Sequence, residues 1–442
     1  MKLNYSVICA GKSEKEENSM QKLMAEKGYP VRFSGEKDAF FAGERLPVKA
    51  RFNNIKHDSK IVRNVWKTMN FCLLSVFLSC GHADDGAVTL DIDEATENGE
   101  QIRLSSIGRT IKYVGLETKD DCLLNEDLIV FIGLVKNNLL IADLNGCYLF
   151  NMDGKFIKQV GNKGNGPGEY GNIGNVVYDE KGNRIMITST SIRRGILAYD
   201  ENGDYIETFL NQVNLSHWAF LNNETIALNI RNYMGNGREK LAFISLSGDT
   251  LSTVPNFDLF NGSNAPLSLN DMAIFYPFKD KVYYNRMFND TIYYLDKNYD
   301  LNPQYIFLSS KHKMESSIRA DAMKFVETTF DYILPWQIIE TDKYLFVNML
   351  RNKRGLKPYF YDKGRRKFVS VANADSRDSD GFVNDLDNGV AFYPQYKIRD
   401  KTLCMVLSPT KIIELKEQSF LSDMFLEVNE DSNPVIAIVE LI

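Results

Sequence analysis

From about residue 100 onward the chain alternates short apolar runs with clusters of Asn, Asp and Gly, the pattern of half-buried strands joined by tight turns. Leu128–Val135, Asn138–Asp143, Arg184–Thr188, Val282–Asn285, Thr291–Leu295 and Tyr344–Met349 are runs of strand length. One unit recurs: a strand, an Asp/Asn-Gly turn, and another strand. It is clear in Tyr148–Ile157, Leu197–Ile206 and Phe243–Leu251, which turn at Gly154, Gly203 and Gly248. Weaker copies follow in Tyr293–Leu301, with Tyr299 at the turn, and in Tyr359–Phe368, with Gly364 there. The turn positions are 49, 45, 51 and 65 residues apart, the spacing of four-stranded blades with variable loops. Five copies and a C-terminal unit make six, at about 56 residues per blade over residues 104–442. The predicted fold is therefore all-β, a six-bladed β-propeller of four-stranded blades.

Two short helical insertions account for the excess length. Ser317–Phe330 places Ile318, Ala322, Phe325, Val326 and Phe330 at helical spacing, and Ile412–Phe425 does the same with Ile413, Phe420, Leu421 and Met424. Both stripes read as packing faces.

The beginning of the chain has a different texture. Phe71–Ser79 is a short apolar run followed by Cys80, and nine residues cannot cross a bilayer core that needs about 20 in a helix. Lys60, Arg63 and Lys67 stand before it, so residues 60–80 follow the positive, apolar, small-residue order of a secretory signal peptide. The segment resembles a bacterial lipoprotein signal, although Phe77-Leu78-Ser79 departs from the usual Leu-Ala-Gly flavour. That resemblance implies acylation of the Cys80 thiol after cleavage. Residues 81–103 then read as a tether leading into the propeller, and Asp84 and Asp85 resemble the surface-export signals of some Gram-negative lipoproteins. The expected location is the cell envelope, as an outer-membrane lipoprotein, with the side it faces left open. Residues 1–59 carry no sustained periodicity and read either as a mis-annotated stretch ahead of a true start near Met69 or as a disordered pre-sequence.

Charge narrows the partners. The whole chain carries −6, but residues 80–442 hold 38 Lys+Arg against 50 Asp+Glu, about −12. Such a surface repels phosphate backbones, so no nucleic-acid partner is expected. Aromatic content of 12%, with 22 tyrosines, suits strands. The six cysteines form no C-x-x-C pair, and Cys122, Cys147 and Cys404 sit in or beside apolar runs, as small buried hydrophobes do.

Phe156–Tyr170, with Gly161, Gly164, Gly166, Pro167 and Gly168, followed by Asn175–Asp179 and Gly182, resembles an NHL-type propeller repeat. Gly381–Asp387 and Asp431–Glu440 resemble a group of six-bladed propeller lipoproteins of the Gram-negative envelope whose function is largely undescribed. These resemblances imply fold and location more than activity. The glycine-rich loop is explained without a ligand: Gly164, Gly166, Pro167, Gly168 and Tyr170 read as a structural inter-blade turn, because no Gly-Lys-Ser/Thr or following helix makes it a phosphate cradle.

Candidate chemistry is sparse. Of four histidines only His217 and His312 lie in the propeller, so no metal centre is expected. Asn384, Asp385 and Asp387 offer oxygens that would suit Ca²⁺ but read first as an Asx-rich turn; no other cofactor is implied. No Gly-x-Ser-x-Gly elbow or triad context is present, and no catalytic residue is assigned. The loops after the second strands repeatedly carry arginine: Arg193 and Arg194, Arg231, Arg286, and Arg351 with Arg354, near Asn232, Asn285 and Asn348. On an acidic chain, Arg193, Arg231, Arg286 and Arg351 would form a rim for carboxylates. The leading expectation is an envelope-anchored binding or scaffolding propeller for a glycan, small acidic ligand or protein partner. The alternative is an enzyme, either a metal-assisted lyase or a glycan-acting hydrolase using channel carboxylates.

Overall fold

The computed structural model describes residues 86–442 except 190–194, 212, 214, 216, 264–266, 353, 373–380 and 418–427, and the side chains of residues 416 and 417. Six antiparallel sheets follow one another as the blades of a propeller. Blade 1 comprises Ile129–Val135, Asn138–Asp143, Cys147–Phe150 and Phe156–Gln159. Blade 2 comprises Ile173–Asp179, Arg184–Ser189, Gly195–Asp200 and Tyr205–Phe209. Trp218–Phe220, Thr225–Asn229, Glu239–Ser245 and Thr250–Pro255 form blade 3, and Ala273–Phe278, Lys281–Arg286, Thr291–Leu295 and Leu301–Leu308 form blade 4. Blade 5 is Ile333–Glu340, Tyr344–Arg351, Gly355–Asp362 and Lys367–Ser370.

Blade 6 closes the ring with both ends of this region. Tyr396–Arg399, Thr402–Leu407 and Val435–Leu441 are joined by Gly108–Gly115, which pairs antiparallel from Gly108↔Leu441 to Gly115↔Val435. Closure leaves no open edge between the first and last blades.

The middle strands correct one detail of the alternating pattern. Leu139–Asp143 and Thr225–Asn229 are buried throughout, because each lies between two neighbouring blades and presents an apolar or satisfied side chain to both. The apolar core is accordingly divided by seam. Leu140, Leu149 and Ile187 fill the seam between blades 1 and 2, Trp218 and Ile196 that between 2 and 3, and Phe243 and Tyr284 that between 3 and 4. First strands of blades 6, 1 and 2 lie against one another, as do those of blades 3, 4 and 5, so the first strands are innermost. The loops after the second strands then share one face with the inter-blade crossovers. The turns at Gly154, Gly203 and Gly248 open on the other, here called the turn face.

Within the stretch expected as a tether, Val88–Asp91 forms a fifth strand on blade 4, parallel to Tyr305–Leu308, and Ile92–Glu97 is a helix capped by Asp91. The insertion expected over Ser317–Phe330 is two helices, Ser316–Arg319 and Ala322–Glu327. They break where the Asp321 carboxylate caps the amides of Met323 and Lys324. The second insertion begins as Pro409–Glu417, and the rest of it through residue 425 lies outside the described residues.

Candidate functional site

The most unusual polar chemistry lies at the crossover end of the seam between blades 3 and 4. Arg286 ends the second strand of blade 4 and is 3% exposed. Its strand parity, shared with Tyr284, sends the side chain toward blade 3. There Nη2 donates to the Ile230 carbonyl at 2.9 Å and Nε to the Asn270 carbonyl at 3.3 Å, while Nη1 is buried without a hydrogen-bond partner. A guanidinium carries five N–H donors, so this clamp leaves donors over inside the seam.

Three other groups meet it. His217, just before the first strand of blade 3, has a buried Nδ1 with no partner. Its pKa falls to about 4 through burial and the proximity of Arg231 and Arg286, so it is neutral at physiological pH. Asp271 is buried, and burial pushes its carboxyl up against the opposing pull of the Asn232 amide and of Arg231. The Asn232 amide donates to it directly, and Asn229 donates to its carbonyl at 2.8 Å. Asn229 in turn accepts from the Tyr284 hydroxyl at 3.0 Å. Arg231 lies 5.6 Å over the Tyr233 ring. Two guanidiniums thus face one carboxylate and one neutral imidazole, an arrangement that suits a carboxylate or similar small anion. Among the described residues of this group, Asp271 is the one carboxylate.

The predicted rim divides. Arg231 and Arg286 come together in this seam. Arg351 is on the same face but is engaged with Asp331 through Nε at 2.9 Å, and Asp331 is held below the usual carboxylate range by that contact. Arg193 and Arg194 lie outside the described residues, as does Cys80. Of the asparagines, Asn232 joins the site, Asn285 donates to the Asn289 and Thr291 carbonyls, and Asn348 donates to Gln337.

Gly164, Gly166, Pro167 and Gly168 lie in the crossover from blade 1 to blade 2, where Asn162–Lys163 pairs with Glu169–Tyr170. The Gly166 amide donates to Glu169 Oε2 at 2.6 Å, and a Cβ on Gly164 would meet the same oxygen at 2.1 Å. The protein's own carboxylate therefore fills the loop where a phosphate would sit. Tyr170 is fully buried and donates to the Val160 carbonyl. The Asn384–Asp387 segment is also internally engaged: Asp385 accepts from the Ser105 amide and hydroxyl, and Asp387 from Asn384 and the Gly389 amide. Among the described residues, no three His, Cys, Asp or Glu side chains gather as a metal site.

Comparison with known proteins adds a family. A family model described as a domain of unknown function, DUF4934, matches residues 87–440. The chain belongs to the DUF4934 family. The matched span starts beside the extra strand at Val88 and ends in the closing strand, so it takes in the whole ring. No curated protein matches the chain. Among solved structures it is similar to a protein of Bacteroides fragilis described as exported, with 19% identity, TM-score 0.64, and coverage of 81% of this chain and 100% of that one. It is also similar to a member of the DUF4221 family from Bacteroides vulgatus, at 9% identity and TM-score 0.48, covering 76% and 97% of the two chains. The likeness to the B. fragilis protein shows the fold of this DUF4934 member.

Sequence reasoning missed Asp271 and the participation of His217. Both lie in crossover segments without a motif, and only the closed ring brings them to the ends of the second strands.

Proposed function

We propose that this DUF4934 propeller is an exported, envelope-anchored binding module whose ligand presents a carboxylate to the seam between blades 3 and 4. The observation that carries the reading is the buried Arg286 Nη1, without a partner and beside Arg231 and His217. A protein does not ordinarily leave a buried guanidinium donor unmatched, and a bound anion would satisfy it. An exported location is supported by the lipoprotein-like signal ending at Cys80 and by the description of the B. fragilis protein.

The test is a thermal melt of the purified protein with acetate or succinate, set against Arg231→Gln. At about 100 times its Kd a ligand contributes about 2.7 kcal/mol, which for a domain of this size raises the melting temperature by about 3–4 °C. An increase with one of these anions that the variant loses is expected. No increase with any of them, or the same increase in the variant, would sink the reading.

A further inference from the structure

The opposite face holds a second site. Between blades 4 and 5, at the turn face, lies a cavity of about 330 Å³ whose floor is a buried ion pair. Glu340 is 2% exposed, and its carboxylate accepts from the Tyr276 hydroxyl at 2.9 Å, the Tyr305 hydroxyl at 2.6 Å and Lys363 Nζ at 2.6 Å. Lys363 also donates to the Thr341 carbonyl and lies 4.3 Å over the Phe278 ring. This floor is therefore saturated and fixed in shape.

The walls are the reverse. Gln304, Tyr283, Tyr361 and Arg366 line the cavity, and their side chains make no hydrogen bond among the described residues. Arg366 is held at the rim by a turn in which its own φ is 52°. The charges can be sorted: Lys363 balances Glu340, and Lys279 lies 3.4 Å from Asp342. Arg366 is left as the one cation lining the cavity with no acidic partner there. Aromatic walls, an amide and two phenols with hydrogen bonds to give, and a single uncompensated guanidinium are a chemistry for a ring bearing several hydroxyls and one carboxylate. The volume lies at the small end of the roughly 300–1,000 Å³ range of ligand pockets, which favours a single ring over a chain.

We propose that the cavity between blades 4 and 5 binds a monosaccharide carrying one carboxylate, with Arg366 on the carboxylate and Gln304, Tyr283 and Tyr361 on the ring hydroxyls. This site is separate from the arginine seam, on the other face of the ring.

The test is calorimetric titration of the full chain with glucuronate and with glucose, repeated on Arg366→Ala, Gln304→Ala and Arg231→Gln. Among the described residues neither Arg366 nor Gln304 makes a side-chain hydrogen bond or ion pair, so their removal breaks none. Glucuronate is expected to bind at least tenfold more tightly than glucose. Arg366→Ala should bring glucuronate down to the level of glucose, Gln304→Ala should weaken both, and Arg231→Gln should leave this binding unchanged. Absence of glucuronate binding, equal binding of the two sugars, or loss in Arg231→Gln with retention in Arg366→Ala would overturn the proposal.

Discussion

Arg286 has two roles that a substitution can separate. Two of its nitrogens tie backbone carbonyls of blades 3 and 4 together, while Nη1 faces the seam. Arg286→Lys keeps the charge but cannot span both carbonyls, and should cost about 1–3 kcal/mol in urea denaturation. Arg231, only partly buried, should cost about 1 kcal/mol or less as Gln, which makes it the cleaner probe of binding. His217 gives the seam a pH dependence with a definite sign. Unfolded, it takes a proton near 6.5; folded, burial and the two arginines delay this to about 4. Its contribution to stability is complete above pH 6.5 and is lost as pH falls toward 4. The unfolding free energy should drop by up to about 2 kcal/mol between pH 7 and pH 5, and His217→Gln should remove that part of the slope. The arginines were legible in the sequence because each follows a strand-length run. Which seam each enters was not, since that depends on the parity of a residue along its strand and on neighbours 20 or more positions away, as Arg286 with Ile230 and Arg351 with Asp331 illustrate.

At the level of elements, the turns between third and fourth strands were the readable feature because their geometry demands particular residues. Gly154, Gly203 and Gly248 all have positive φ, and the weaker fourth copy keeps it at Tyr299 with φ 69°. In the fifth copy Gly364 marks the turn, but the positive φ falls on Arg366, two residues later. These glycines are not equivalent. A Cβ on Gly154 would stand 2.0 Å from the Gly115 carbonyl in the strand that closes the ring, whereas on Gly248 it would meet only a leucine methyl at 3.9 Å. Gly248→Ala should cost about 1 kcal/mol through φ alone, and Gly154→Ala clearly more, because it also displaces the closing strand. Chemical denaturation of the two variants side by side checks this, and equal costs would contradict it. The helix at Ile92–Glu97 and the strand at Val88–Asp91 escaped the sequence reading because both are short and gain their stability from packing on blades 4 and 5. The Thr96 hydroxyl on the Tyr359 hydroxyl at 2.6 Å is one such contact.

At the scale of the molecule, a closed ring of six blades offers two faces with different chemistry, one with a cationic seam and one with a small aromatic cavity. The repeat period announced the ring; the faces emerged only from its closure, which sets residues of separate blades side by side. The carboxylate site proposed for the seam between blades 3 and 4 has an internal reporter in His217. With four histidines in the chain, histidine-selective NMR of the protein during titration with succinate resolves that residue. An anion placed beside Arg286 and Arg231 offsets their charge, so the account predicts that the His217 signal shifts and its pKa rises from about 4, with the shift lost in Arg231→Gln. A His217 signal and pKa that do not respond to saturating succinate or acetate would contradict it.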